Sequence, residues 1–197
     1  MKRLLAVIAA ILACSCAFAQ FNTSGSDPFS VRWMEISSDN FRVIYPEGMD
    51  SLARVYARRL ETARVMNGWS SGFLVGQNYS TKMPVVLHAY NSTPNASVAW
   101  APKIMDIFTV PEAYGPTPMP WEKELALHEG RHAAQMQFGS TRIYRPFQYL
   151  TGELFAGALA GIFPGPVLLE GDAVARNRVP GGLLLHQHLA LVRHAAL

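Results

Sequence analysis

A chain of 197 residues, half of them hydrophobic and 16% charged, is long enough to bury one sizeable core and too apolar to be disordered. The formal charge of +3 includes Lys2 and Arg3 at the extreme N-terminus, so the remainder is close to neutral and gives no electrostatic case for a nucleic-acid partner. Both cysteines, Cys14 and Cys16, fall within residues 1–19, which leaves no thiol further along for a disulfide or a metal.

The first nineteen residues read as an export leader. Lys2 and Arg3 form a basic start, residues 4–13 an apolar run too short to span a bilayer, and Ala17, Phe18 and Ala19 a small-residue cleavage site. The expectation is an exported protein, periplasmic, cell-surface or secreted. A membrane tether follows only if Cys14 or Cys16 is lipidated, and Leu12 ahead of Ala13 and Cys14 fits a lipobox poorly. Residues 20–30 are a polar lead-in. Residues 31–36 and 41–45 alternate apolar and polar side chains around a Ser-Ser-Asp-Asn turn, which predicts a hairpin. Residues 49–66 follow a 3.6 period through Leu52, Val55, Tyr56, Leu60, Ala63 and Val65, with Asn67 and Gly68 as the stop. Strands are predicted over 84–90, 97–100 and 104–110. A helix runs from Pro120 and Trp121 to Phe138 and is closed by Gly139 and Ser140. A second apolar helix is predicted over 147–162, where Gly157 and Gly161 suit close helix packing, and a third over 167–177 after the break at 163–166. Strands first and helices after predict an α+β fold, a small mixed or antiparallel sheet followed by a helix bundle. The domain is placed at 31–176. Residues 177–197 are an unassigned tail, and the chain is expected to be a fragment. Its histidines, His186, His188 and His194, are read as structural, as is His88 on its strand.

The chemistry is concentrated in residues 128–132, His-Glu-Gly-Arg-His, an H-E-x-x-H pattern. On a helix, residues i and i+4 share a face one turn apart, so His128 and His132 can offer two imidazole nitrogens to one ion. Glu129, next to the first histidine, is placed to reach a metal-bound water rather than the metal. Catalytic zinc sites have three protein ligands and one open position. The extended form with a third histidine needs Gly at 135 and His at 138; this chain has Gln135 and Phe138, so a downstream carboxylate must serve. Glu153 and Glu170 are both candidates, and spacing alone does not choose between them. No nucleophile elbow, phosphate loop or dinucleotide fingerprint competes.

The stretch LALHEGRHAAQ at 125–135, followed by LLEGDAV at 168–174, resembles the gluzincin metallopeptidases. It is most similar to exported bacterial peptidase-MA-like proteins, which carry an H-E-x-R-H-x-x-Q helix and an E-G-D-A-V helix, often ahead of a β-propeller. The resemblance implies a zincin-like fold, a Zn2+ ion held by His128, His132 and Glu170, and Glu129 as the general base. It also implies an extended peptide substrate added to a sheet edge, for which 95–102 or the following strand is the candidate. Asp172 is a candidate for supporting the site, and Tyr144 and Tyr149 for donating to an oxyanion. The family usually has Trp where this chain has Val167, and its stretch after the second motif differs from that beyond Arg176. The alternative implied is a catalytically inactive zincin-like module with a binding or scaffold role.

Overall fold

Alternation of side chains builds the sheet. In β1 (Trp33–Ser37), β2 (Phe41–Pro46), β3 (Met83–His88), β4 (Ala96–Trp100) and β5 (Lys103–Phe108), successive residues point to opposite faces. Phe41, Val43, Met83, Val85, Leu87, Met105 and Ile107 all fall on one face and are fully buried. These positions come from a computed structural model, which describes residues 27–71, 79, 81–100, 102–113, 119–138, 146, 150–154, 158 and 166–178. The expected leader with Cys14 and Cys16, most of the lead-in, Gly157, Gly161, Tyr144, Tyr149 and the tail with its three histidines lie outside the described residues.

The sheet has five strands in the order β1-β2-β3-β5-β4. The three central strands run parallel, and the two outer ones, β1 and β4, are antiparallel to their neighbours. Helix α1 (Asp50–Ser71) makes the crossover from β2 to β3, and α2 (Trp121–Phe138) follows β5. Both pack on the buried face, where Ala53, Tyr56, Leu60 and Ala63 of α1 meet Leu125, Ala126 and Ala133 of α2 and the inward row of the strands. Helix α3 (Pro166–Arg178) lies on α2. The result is an α+β architecture of one mixed sheet and three helices among the described residues. No helix among them is long and apolar enough to cross a membrane.

The predicted hairpin forms, with Trp33 opposite Pro46 and Ser37 opposite Arg42. Its turn is held from the helix layer: the Glu61 carboxylate accepts from Ser38 Oγ at 2.7 Å, from the Asn40 amide at 2.7 Å and from Asn40 Nδ2 at 2.8 Å. Three expectations need correction. Helix α1 does not stop at Asn67 and Gly68 but continues to Ser71. Asn67 is fully buried within it, and its side chain donates to Leu127 O at 3.0 Å, so a tertiary bond replaces the local backbone bond that makes Asn a helix stop. The helix expected over 147–162 is interrupted at Gly152, whose φ of 64° belongs to the left-handed region. The strand after β4 is no substrate edge, because β5 is paired on both sides, with β3 and with β4.

His88, read as a structural strand histidine rather than a ligand, is held at both ring nitrogens. Asp27 Oδ2 meets Nδ1, Asp106 Oδ1 lies 3.1 Å from Nε2, and the Phe108 ring stacks on the imidazole at 4.9 Å. Burial opposes the ring's charge, but the hydrogen bonds to Asp106 and Asp27 and the charges of both raise its pKa above 6.5. The stability this gives is fully present below the unfolded-state pKa and is lost as pH rises through the higher folded-state value. A His88→Phe variant is therefore expected to be less stable than wild type by about 2–3 kcal/mol at pH 6, with the gap shrinking as pH is raised. Urea denaturation at a series of pH values checks it, and a gap independent of pH would contradict the charged bridge.

Candidate metal centre

Helix α2 is anchored at its start. The Pro120 carbonyl accepts from the amides of Lys123 at 2.9 Å and Glu124 at 3.0 Å, and Trp121 Nε1 donates to Phe108 O at 3.0 Å, fixing the first turn to the end of β5. Glu122 and Glu124 lie in that turn, where the helix dipole favours negative charge. Further along, Gly130 lets α1 come close. A Cβ on Gly130 would meet Asn67 Nδ2 at 3.1 Å and Ala63 Cβ at 3.4 Å. Glycine costs about 1 kcal/mol in a helix interior, and here that cost accompanies a close helix contact.

One turn apart on α2, His128 and His132 turn their Nε2 atoms to each other at 3.2 Å. Glu170 of α3 completes a triangle: Oε2 lies 3.4 Å from His128 Nε2 and Oε1 lies 3.3 Å from His132 Nε2. Four ligands around a tetrahedral ion with bonds of about 2.0–2.1 Å are about 3.3–3.4 Å apart. The three separations, 3.2, 3.4 and 3.3 Å, lie close to that spacing, so the donor set is of a size to hold a single metal ion. Direct hydrogen bonding also gives distances near these; two imidazoles and a carboxylate whose ligand atoms converge this way could hold a metal ion. The imidazoles are mostly buried, whereas the Glu170 side chain is 62% exposed, so the site opens to solvent on the α3 side. Burial, and then the neighbouring His132, lowers the pKa of His128, which favours the neutral form that a ligand needs.

Behind the ligands is a chain of polar contacts. His132 Nδ1 lies 2.9 Å from Gln135 Oε1, which makes Nδ1 the donor and leaves the Nε2 lone pair facing His128 and Glu170. The Gln135 amide nitrogen donates onward to Asp172 Oδ2 at 2.7 Å and to Leu169 O at 3.1 Å. Arg131, almost wholly buried, grips Asp172 with two nitrogens, Nη2 reaching Oδ1 at 3.0 Å, and donates from Nη1 to Asn67 O at 3.0 Å. Partial burial works against the charged form of Asp172, but the hydrogen bonds from Arg131 and Gln135 and the charge of Arg131 hold it below the usual carboxylate range.

Glu129 is 4% exposed, and its electrostatic neighbour is Glu170. Burial first, and then that negative charge, push its carboxyl up to about 8.

Of the residues singled out in the sequence, the structure brings His128, His132 and Glu170 together, with Asp172 one step behind them. Glu153 is elsewhere: its Oε2 accepts from the Lys103 amide at 2.8 Å, at the start of β5. Tyr144 and Tyr149 lie outside the described residues. Arg131, Gln135 and Asn67 were given no role at the site from sequence, although Arg131 and Gln135 belong to the motif that carries the resemblance. The available signal was helical spacing, since Gln135 follows His132 by three positions and Arg131 by four, which places all three on neighbouring faces. Comparison with models of known protein families, with curated proteins and with solved structures found no match.

Proposed function

We propose that this protein is an exported zinc metallopeptidase of gluzincin type with a zincin-like catalytic domain. The observation that carries the reading is the convergence of His128, His132 and Glu170 on one point, beside a buried carboxylate that is not in the ligand set. A purely structural site needs no such neighbour. When bound, zinc supplies a Lewis acid that brings the pKa of its water from 15.7 to about 7 and polarises a carbonyl.

The chain's own residues do the rest. Glu129 takes the proton of the attacking water and passes it to the leaving amine. The ligand set of two neutral imidazoles and one carboxylate carries a single negative charge, which leaves net positive charge to face an anionic transition state. Substrate presentation falls to β4. It is an edge of the sheet, paired with β5 on one side, and it packs against the metal helix α2. An extended peptide can add to such an edge through main-chain hydrogen bonds. Trp100, buried at the end of β4, fixes the strand to the core.

The test is hydrolysis of a mixed peptide library by the purified chain. Cleavage is expected to stop on treatment with a chelator and to return on addition of Zn2+. Stoichiometric zinc with no cleavage of any peptide would instead favour an inactive binding module.

A further inference from the structure

The position of Glu170 has little apolar support. Among the described residues of α3, Ala173 alone is fully buried, while Val167, Leu168 and Val174 are exposed. The polar contacts to α2 must therefore set where the third donor sits. Those contacts converge on one side chain: Asp172, two residues beyond Glu170, receives Arg131 through two nitrogens and Gln135 through one. Gln135 also orients the second donor, since its Oε1 accepts from His132 Nδ1. Arg131 adds a tie to a third helix through Asn67 O. One network thus fixes a ring orientation on α2 and the placement of a carboxylate on α3.

We propose that Gln135, Asp172 and Arg131 act as one positioning unit that sets the protein's affinity for a divalent cation, by holding His132 and Glu170 in mutual register. The inference rests on the metal-site reading above. Groups that hydrogen-bond metal ligands are worth about 10–100-fold in metal affinity. In this chain one amide serves two ligands at once, directly for His132 and through Asp172 for Glu170. Members of such a unit do not contribute additively, because breaking either link frees the same donors.

The experiment titrates the full chain with Zn2+ against a chromophoric chelator, comparing wild type with Asp172→Asn, Gln135→Met and the double variant. Gln135→Met keeps the side chain's length; Asp172→Asn keeps its shape but takes the negative charge from buried Arg131, so it is expected to lower stability while leaving the chain folded. Far-UV circular dichroism and the melting temperature of the metal-free protein monitor the fold. The expected result is zinc affinity lower by about 10–100-fold in each single variant, with metal-free melting within about 3 °C of wild type for Gln135→Met and lower, but still a single cooperative transition, for Asp172→Asn. The double variant is expected to lose little more than the worse single one. Unchanged affinity in both single variants overturns the proposal. So does additive loss in the double variant, which would mean two independent supports, and so does loss of the metal-free fold, which would mean a purely structural role. Wild-type protein that binds no zinc would refute the metal-site reading itself, a result distinct from all of these.

Discussion

Replacing Glu170 by Ala is expected to empty the metal centre, while Glu153→Ala leaves it filled. Both residues are acids downstream of the histidine pair, but the structure gives them different work. Glu170 lies 3.4 and 3.3 Å from the two Nε2 atoms. Glu153 accepts from the Lys103 amide and anchors the start of β5. Disturbing a group one bond removed from a ligand costs about 10–100-fold in metal affinity, so removing the ligand itself costs more, roughly a thousandfold. The Glu170 side chain is 62% exposed, so its truncation opens no cavity in the core, and the metal-free variant stays folded. Glu153→Ala should show the opposite pattern, full zinc content with a modest fall in stability of about 1–3 kcal/mol from the lost partner of the amide. Elemental analysis of purified protein, together with thermal melting with and without zinc, checks both arms. A ligand present at a hundred times its Kd raises stability by about 2.7 kcal/mol, so the wild type should melt higher with zinc and Glu170→Ala should not. Full zinc in Glu170→Ala would remove that residue from the ligand set.

The histidine pair was legible in the sequence because its spacing maps onto one helix turn, and helix geometry is local. The third donor was not legible from spacing; only the resemblance pointed to Glu170, with Glu153 as the alternative. Glu170 and Glu153 follow His132 by 38 and 21 positions, and a contour length says nothing about direction. Choosing between them takes the turn at Gly152, which aims Glu153 at β5, and the Asp172 contacts, which aim Glu170 at α2. The strands were legible as alternating runs, but their order was not. Chain order puts β4 before β5, whereas the sheet places β5 inside and β4 at the edge, a non-local choice. Asn67 shows the same limit. Local propensity makes Asn and Gly a helix stop, but a bond to Leu127 O on another helix overrides it. Gln135 was informative in sequence as the absence of a glycine and as the last residue of the motif that carries the resemblance, but not as a partner of the site. Its contacts with His132 and Asp172 depend on where α3 lands.

The sharpest separation of chemistry from structure is expected from Glu129→Gln. The amide keeps the shape of the side chain but cannot accept a proton at neutral pH. Glu129 is absent from the converging ligand set, so zinc content should remain at the wild-type level. Loss of a general base lowers kcat by about 10²–10⁴-fold. The effect should fall on kcat rather than on KM, because the residue acts on the proton and not on the peptide's main chain. Stability gives an independent sign. The wild type holds a carboxyl that is 4% exposed and that burial has pushed up to about 8. A neutral amide of the same size removes the cost of holding an acid protonated there above its ordinary pKa. The metal-free variant should therefore melt no lower than the wild type, as is expected where a destabilising group is kept for activity. Turnover equal to wild type would remove Glu129 from the mechanism. A large fall in the melting temperature with activity retained would make it a structural residue. Loss of zinc would place it among the ligands, contrary to the geometry of His128, His132 and Glu170.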